Sequence, residues 1–566
     1  MYSTQKSVLQ LVALMKAHHI HHVVLCPGSR NAPIVETFAT CPDFTCYSIV
    51  DERSAAFFAL GIAQFHREVV AVCCTSGSAL LNMAPAVAEA FYQELPLLVI
   101  SADRPEAWIG QKDGQTLPQP SAFGTLVKKA VQLPESLDAV SYWYRNRLIN
   151  ESLLALTTHG GGPVHINVPI TEPFFDFSET KLPNERVISY LKPEMTCPEL
   201  AKLWNSASKV MILLGQMNPD PELKRILHQI EQLGGIVVSE YLSNYSSTLG
   251  IEESISFHCE WNLITAWAGR KDQEEGVPEP DLLLYCGGHL VSKSVKKYLR
   301  TLSSRTTVVQ IHPNATLTDT FMNATHIVEM EPQTALESII EKGKKQDESF
   351  RECWKRIVRK VHSEIQTIPP THSSIYRVKQ LMETLPSGCT LHLANSSTVR
   401  LAELAELPQE ISVYCNRGTS GIEGSLSTAA GYSTAHPGYT YITIGDLSYF
   451  YDLNILRHAT LFPRLRIILL NNGGGEIFHV LPGMDRASQM KSFIAASHSN
   501  RTKGWLEDCG IAHYYVHELN ADSENTIKKF LEDQENRPAL LELHFDAEND
   551  RMAYEQFYHS FRRKKE

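Results

Sequence analysis

Residues 441–475 read YITIGDLSYFYDLNILRHATLFPRLRIILLNNGGG. Two short apolar runs, 441–444 and 467–470, each end in a break rich in oxygen donors: Gly445-Asp446-Leu447-Ser448 after the first, Asn471-Asn472-Gly473-Gly474-Gly475 after the second. Continuous apolar runs of this length, separated by helical stretches, are the pattern of parallel strands buried on both faces. Open sheets of that kind bind ligands beyond the carboxyl ends of their strands. An Asp carboxylate, an Asn amide oxygen and a backbone carbonyl freed by glycine are hard donors that suit a magnesium ion also carrying phosphate oxygens. The glycines let the backbone approach a diphosphate closely. Two ordinary strand-end turns would give the same letters, so the pair needs independent support.

Outward from this stretch the same alternation recurs. Toward the N-terminus, helical spacing over 8–15 leads into an apolar strand at 22–26 that ends at Pro27-Gly28; further strands are expected at 69–74, 95–100 and 164–168, with a helix over 79–92. Residues 181–193 are polar and irregular and read as a linker. A second series places strands at 210–214, 236–238, 282–285, 308–311 and 327–330, and a charged helical stretch over 336–368 runs into Pro369-Pro370, a boundary signal. The third series has strands at 390–393, 412–414, 441–444, 467–470 and 540–544. The expected class is α/β, with three doubly wound parallel-sheet domains at 1–182, 195–345 and 371–566. No repeat or low-complexity tract is evident.

A chain of 566 residues, 43% hydrophobic, is long enough for about three cores. Its 52 basic and 63 acidic residues leave a net charge of −11, which argues against a general affinity for nucleic acid or anionic membranes. Twelve scattered cysteines, including adjacent Cys73 and Cys74, form no CxxC pair suited to zinc and fit a reducing compartment. No basic leader precedes a long apolar run, and no stretch reaches the ~18 apolar residues of a membrane span. A cytoplasmic location is expected.

Support for the 441–475 reading comes from Asp51-Glu52-Arg53-Ser54-Ala55-Ala56, which puts a carboxylate at a strand-to-helix junction. Alone, Asp51 would cap a helix and Glu52 would favour its positive end. Longer strings occur in the same chain: Cys26-Pro27-Gly28-Ser29-Arg30-Asn31-Ala32-Pro33, Ser101-Ala102-Asp103-Arg104-Pro105, Asn416-Arg417-Gly418-Thr419-Ser420-Gly421-Ile422-Glu423-Gly424, and Asp452-Leu453-Asn454. Together with the segment from Asn472 to Phe478, and with weaker matches over 287–293 and 310–313, they resemble the thiamine diphosphate-dependent synthase family of menaquinone biosynthesis, which makes 2-succinyl-5-enolpyruvyl-6-hydroxy-3-cyclohexene-1-carboxylate. The matches lie in the family's order.

That resemblance implies a carboligase that decarboxylates 2-oxoglutarate and adds the succinyl unit to isochorismate. It implies thiamine diphosphate with Mg2+ or Mn2+, the metal held by Asp446, Asn472 and the Gly474 carbonyl, and Glu52 as the catalytic carboxylate beside the aminopyrimidine nitrogen. Ser396, Ile422, Leu447, Ser448, Gly475, Ile477 and Phe478 are the further cofactor contacts it suggests, Ile422 propping the cofactor's bend. The two substrates carry four carboxylates, for which the matching positions offer Arg30, Arg104, Lys293, Arg400 and Arg417 with Ser29 and Gln115. Glu52 and Asp446 fall in different units, and the resemblance implies that a pyrimidine-binding domain of one subunit faces a diphosphate-binding domain of another. A homodimer or dimer of dimers follows from that arrangement.

One position departs from the general thiamine diphosphate signature and two from the family. Leu447 stands where a second glycine is usual, Gly114 where an asparagine precedes Gln115, and Glu476 where a neutral glutamine is common. Another thiamine diphosphate-dependent 2-oxoacid ligase or decarboxylase, and a non-catalytic nucleotide-binding protein on the same fold, are the competing readings. The Lys293-to-Lys297 cluster apart from Lys293, the tail Arg562-Arg563-Lys564-Lys565, Gly160-Gly161-Gly162-Pro163 and the histidines at 18, 19, 21 and 22 read as structural.

Overall fold

The structure is a computed structural model that describes residues 1–135, 138–172, 174–188, 196–245, 264, 277–303, 305–314, 318–366, 368–475, 489 and 493–562, with backbone alone at 364 and 558–562. Three all-parallel sheets carry it. The first contains β1 (His22–Leu25), β2 (Thr45–Ser48), β3 (Val70–Cys74), β4 (Leu97–Asp103), β5 (Lys129–Gln132) and β6 (Val164–Pro169), in the order β2-β1-β3-β4-β6-β5. The second contains β7 (Val210–Leu214), β8 (Ile236–Ser239), β9 (Leu282–Cys286), β10 (Thr307–His312) and β11 (His326–Glu329), in the order β11-β10-β9-β7-β8. The third contains β12 (Thr390–Leu393), β13 (Ser412–Tyr414), β14 (Thr440–Gly445), β15 (Leu465–Asn471), β16 (Ala512–Val516) and β17 (Ala539–His544), in the order β13-β12-β14-β15-β17-β16. The first and third sheets therefore share one topology, and the α/β doubly wound expectation holds.

In each sheet the strand order reverses beside the first strand of the set, which opens a crevice between β1 and β3, between β7 and β9, and between β12 and β14. Register puts the crevice of the third sheet at the site: Leu393 pairs with Thr443 and Gly445 with Leu470, so the segments after β12, β14 and β15 emerge side by side.

The first and third sheets share a core. Val24, Phe58 and Val72 belong to the same apolar cluster as Leu426, Ile444 and Ile467. Its axis is the crossing of helix Glu52–His66 with helix Ser425–Ala435, where both contribute glycine at the point of contact. A methyl group on Gly61 would fall 2.0 Å from the Thr428 carbonyl, and one on Gly431 would fall 2.0 Å from the Phe58 carbonyl. Backbones this close leave no room for a side chain, so glycine sets the approach of the two units. The second sheet packs onto the third through another cluster that joins Leu213 and Tyr241 to Leu391 and Val413.

Two expected helices are divided. Residues 336–368 fall in Pro332–Lys342 and Ser349–Ile365, broken after Gly343, where the second helix is entered through Asp347 accepting the Ser349 N–H at 2.8 Å. Residues 79–92 form Ser78–Asn82 and Ala84–Gln93, with Pro85 in the first turn of the latter. Among the described residues, no helix is long and apolar enough to cross a membrane.

Candidate active site

At the mouth of the third sheet's crevice lies a cavity of about 390 Å³. Its lining draws on the segments after β12 (Ser396, Arg400), after β14 (Asp446, Leu447, Ser448) and after β15 (Asn472, Gly474, Gly475), with Ile422 on one side. Every described lining residue lies between Ser374 and Tyr554.

Asp446 organises the floor. It is 2% exposed, and its Oδ2 accepts the N–H groups of Asn472 (3.2 Å), Gly473 (2.8 Å) and Gly474 (3.1 Å), while Oδ1 accepts that of Leu447 at 2.6 Å. Gly473 and Gly474 reach these positions with φ of +79° and +154°, which disfavour a side chain. Burial pushes the Asp446 carboxyl above its usual range; His498, 3.5 Å from Oδ2, and the backbone N–H groups pull the other way. Ser396 is also strained, at φ +74°, and its carbonyl accepts from Arg400 at 2.7 Å. Ser448 donates to the Ile422 carbonyl, tying the cavity wall to its floor.

One end of the Asn472 side-chain amide lies 2.9 Å from the Gly474 carbonyl oxygen and 3.3 Å from Asp446 Oδ2, where its NH2 can donate to both. Turned to present its oxygen, the amide would join the carboxylate and the carbonyl as a third hard donor at a spacing that one small cation can bridge. Oxygens spaced by about 3 Å form an edge of an octahedron with ~2.1 Å metal–oxygen bonds, the dimension of Mg2+. One carboxylate, one amide and one carbonyl thus fit a magnesium-sized ion that keeps its remaining positions for phosphate and water.

A second group gathers at the crevice of the first sheet. Ser29 and Arg30 follow β1, and Arg104 follows β4. Arg104 donates to Ser76 Oγ (2.8 Å) and to the Gln115 carbonyl (3.1 Å), and pairs with Asp113 at 2.8 Å. Arg30 donates to the Ile170 carbonyl at 2.9 Å, with its guanidinium 4.8 Å from the Phe174 ring centre. Burial and the charge of Arg104 both lower its pKa. Gln115, at φ +56°, presses on Gly77, and the exposed Gly114 beside it meets nothing that a methyl group would touch. Glu52, half-buried at the first turn of its helix behind the Asp51 cap, has its carboxyl raised above the usual range by burial, with the Asp51 charge adding to the shift.

Arg417 is 8% exposed, and its NH1 donates to Asn395 Oδ1 at 2.8 Å, just behind Ser396. Lys293 is exposed at the start of helix Lys293–Leu299. Lys296, one turn on, is the lysine that feels Arg417 and the buried Glu240, and burial lowers its pKa. Ile477 and Phe478, like Glu476, lie outside the described residues.

Some participants were not singled out from the sequence. Glu89, 1% exposed in the first unit, accepts the N–H of Gly418 (2.8 Å), the N–H of Thr419 (2.7 Å) and the Thr419 hydroxyl (2.7 Å), so it clamps the loop that carries Arg417. Glu240 caps the Lys293–Leu299 helix from a distance by accepting the Val291 and Ser292 N–H groups. His498 and Asp550 stand beside the 446–474 cradle. None belongs to a recognisable string; each acts through a contact distant in sequence.

Comparison with known proteins matches residues 7–123 to the thiamine pyrophosphate enzyme N-terminal TPP binding domain. Proteins named 2-succinyl-5-enolpyruvyl-6-hydroxy-3-cyclohexene-1-carboxylate synthase from Phocaeicola vulgatus and Bacteroides thetaiotaomicron are each 43% identical over the whole of both chains. One of the same name from Flavobacterium psychrophilum is 36% identical over 86% of this chain and 87% of its own. The chain belongs to the 2-succinyl-5-enolpyruvyl-6-hydroxy-3-cyclohexene-1-carboxylate synthase family of thiamine diphosphate enzymes.

Proposed function

We propose that this protein decarboxylates 2-oxoglutarate and joins the succinyl unit to isochorismate, giving 2-succinyl-5-enolpyruvyl-6-hydroxy-3-cyclohexene-1-carboxylate. The observation that carries this reading is the meeting of the Asp446 carboxylate, the Asn472 amide and the Gly474 carbonyl at a cavity of about 390 Å³, in a chain that matches synthases of this name from end to end. When bound, thiamine diphosphate supplies the electron sink for loss of carbon dioxide from a 2-oxo acid.

The residues of the chain would do the rest. Asp446, Asn472 and the Gly474 carbonyl hold Mg2+ or Mn2+, and the diphosphate lies along Ser396, Leu447, Ser448 and Gly475. Glu52, its carboxyl raised above the usual range by burial, exchanges a proton with the aminopyrimidine nitrogen. Arg30 and Arg104, held at fixed geometry by Ile170, Ser76 and Asp113, offer paired donors to the carboxylates of one substrate; Arg400 and Arg417 do so from the opposite wall. Ser29, Gln115 and Lys293 complete the proposed set, and Ile477 and Phe478 are proposed as its apolar wall. Glu52 belongs to the first unit and the cradle to the third, and every described residue of the cavity lining belongs to the third unit, which favours a homodimer or dimer of dimers with sites between subunits. A cytoplasmic location and the domain limits 1–182, 195–345 and 371–566 belong to the same reading.

Purified protein incubated with Mg2+, thiamine diphosphate, 2-oxoglutarate and isochorismate, and followed by mass spectrometry, yields the joined product. Pyruvate in place of 2-oxoglutarate yields little. Efficient turnover of pyruvate, or carbon dioxide release with no coupling to isochorismate, would instead favour another 2-oxoacid ligase or decarboxylase.

A further inference from the structure

Strand β6 interrupts its apolar run with His165 and Asn167, two residues apart, so both side chains leave the same face of the sheet. Register sets Asn167 beside Ser101 of β4 and Gln132 of β5, and Asp103 lies on that face two residues after Ser101. All of these except Gln132 are fully buried. Buried polar groups need partners, and here they find them in one another and in Gln119, which is buried with them.

The hydrogen bonds run in one direction. Asp103 accepts through both oxygens, from the Arg104 N–H at 2.8 Å and from Asn167 Nδ2 at 2.9 Å. That commits the NH2 end of Asn167, which also donates to Gln132 Oε1 at 3.0 Å, and leaves its Oδ1 to accept from Ser101 Oγ (2.6 Å) and Gln119 Nε2 (2.7 Å). Gln119 Nε2 donates to the Ala102 carbonyl as well, at 3.1 Å, which turns Oε1 to accept the Gly77 N–H at 2.8 Å. Gly77 packs against Gln115, where a methyl group would fall 3.0 Å from Cα, and its neighbour Ser76 accepts from Arg104 NH1 at 2.8 Å. The 2.7 Å contact of Ser101 with His165 resembles a nucleophile and its base, but both residues are fully buried and burial lowers the His165 pKa to about 3. With the Ser101 proton given to Asn167, neutral His165 is the donor at which the chain begins.

We infer that Asn167 and Gln119 are positioning residues for Arg104: through Asp103 they fix its backbone, and through Gly77 and Ser76 they fix its guanidinium, so that recognition of a substrate carboxylate depends on two amides buried beneath the site. Only an amide carries donors and an acceptor at one side-chain end, and both positions use the two functions at once. The inference rests on the reading of Arg104 as a carboxylate-binding residue. It adds the part of the fold that sets the aim of this guanidinium, where a misplacement of ~1 Å can cost up to about 100-fold.

The test is steady-state kinetics of the full chain with Mg2+ and thiamine diphosphate, varying 2-oxoglutarate and isochorismate in turn. Wild type, Arg104→Ala, Gln119→Met and the double variant are compared, with melting midpoints as the check on folding. Arg104→Ala raises KM for the substrate whose carboxylate it holds. Gln119→Met, close to glutamine in shape but without its donor and acceptor, raises the same KM on the order of 10-fold, within the range that misplacement can cost, and leaves the other KM unchanged. In the Arg104→Ala background there is no guanidinium to aim, and Gln119→Met causes no further rise. Asn167→Ala is read in the same way should Gln119→Met not fold. A fall in kcat with neither KM moved, or a rise in KM of equal size in both backgrounds, overturns the inference and leaves the proposed function standing. If Arg104→Ala itself moves neither KM, the substrate role of Arg104 falls and the inference with it. Absence of the joined product with wild type overturns the proposed function and the inference together.

Discussion

The Gly474 N–H donates to Asp446 Oδ2 across 3.1 Å, joining two residues 28 positions apart. The bond ties the ends of β14 and β15 into one cradle, and Leu447, Asn472 and Gly473 donate to the same carboxylate. A single side chain thus fixes the backbone that would hold the diphosphate.

Asp446→Ala leaves these donors without their acceptor. An unsatisfied buried donor costs about 1–3 kcal/mol, so the melting midpoint falls even without ligand. Metal-dependent thiamine diphosphate binding, followed by calorimetry, is lost.

Glu52→Gln preserves the Asp51 cap and the size of the side chain while removing its proton exchange. The fold, read by melting midpoint and far-ultraviolet spectrum, is retained. Carbon dioxide release from 2-oxoglutarate falls by about 10²–10⁴-fold.

Glu89→Ala frees the Gly418–Thr419 segment from its clamp. Because Arg417 sits on that loop, KM for 2-oxoglutarate rises more than kcat falls, as steady-state kinetics would show. A fall in kcat alone would place the loop away from substrate.

Gly61→Ala tests the crossing of the Glu52–His66 and Ser425–Ala435 helices. A methyl group there meets the Thr428 carbonyl, and overpacking of this kind costs about 1–3 kcal/mol or more. Denaturant unfolding should show that loss. Glu52 begins one of these helices, so activity falls with it.

Asp452 gives a pH signature. Buried and accepting from Ser427 N and Oγ, its carboxyl is pushed up from 3.8 to about 6, chiefly by burial. A raised carboxyl binds its proton more tightly folded than unfolded, so its contribution to stability is full below about 3.8 and is lost as pH rises to about 6. Asp452→Asn removes that slope. The difference in melting midpoint between the two proteins, measured from pH 4 to 7, changes across this window and flattens above it.

The central strands were legible because they are continuous apolar runs: β14 and β15 are buried along nearly their whole length, and the oxygen-donor turns that follow them stand out. The edge strands β2, β5 and β16 were not, because one flank faces solvent and their sequences, such as Thr45-Cys46-Tyr47-Ser48, carry too few apolar residues to register. The cradle residues could be named because each follows a strand. Glu89 could not, since an acidic residue within Ala84–Gln93 reads as an exposed charge until the loop 329 positions away is brought to it. For the lysines, helix phase decides. Lys293 and Lys296 look alike in sequence, but Lys293 is exposed whereas Lys296 is half-buried, where the charges of Arg417 and Glu240 reach it.

The central claim is that Glu52 of one subunit works with the Asp446 cradle of another. Complementation tests it most directly: Glu52→Gln and Asp446→Ala proteins, each inactive alone, are mixed under conditions that exchange subunits, and product formation is measured. The account predicts that activity returns in the mixture, because a mixed dimer pairs an intact Glu52 with an intact Asp446. If subunit exchange is demonstrated and no activity returns, both residues serve a site within one chain, and the account is wrong.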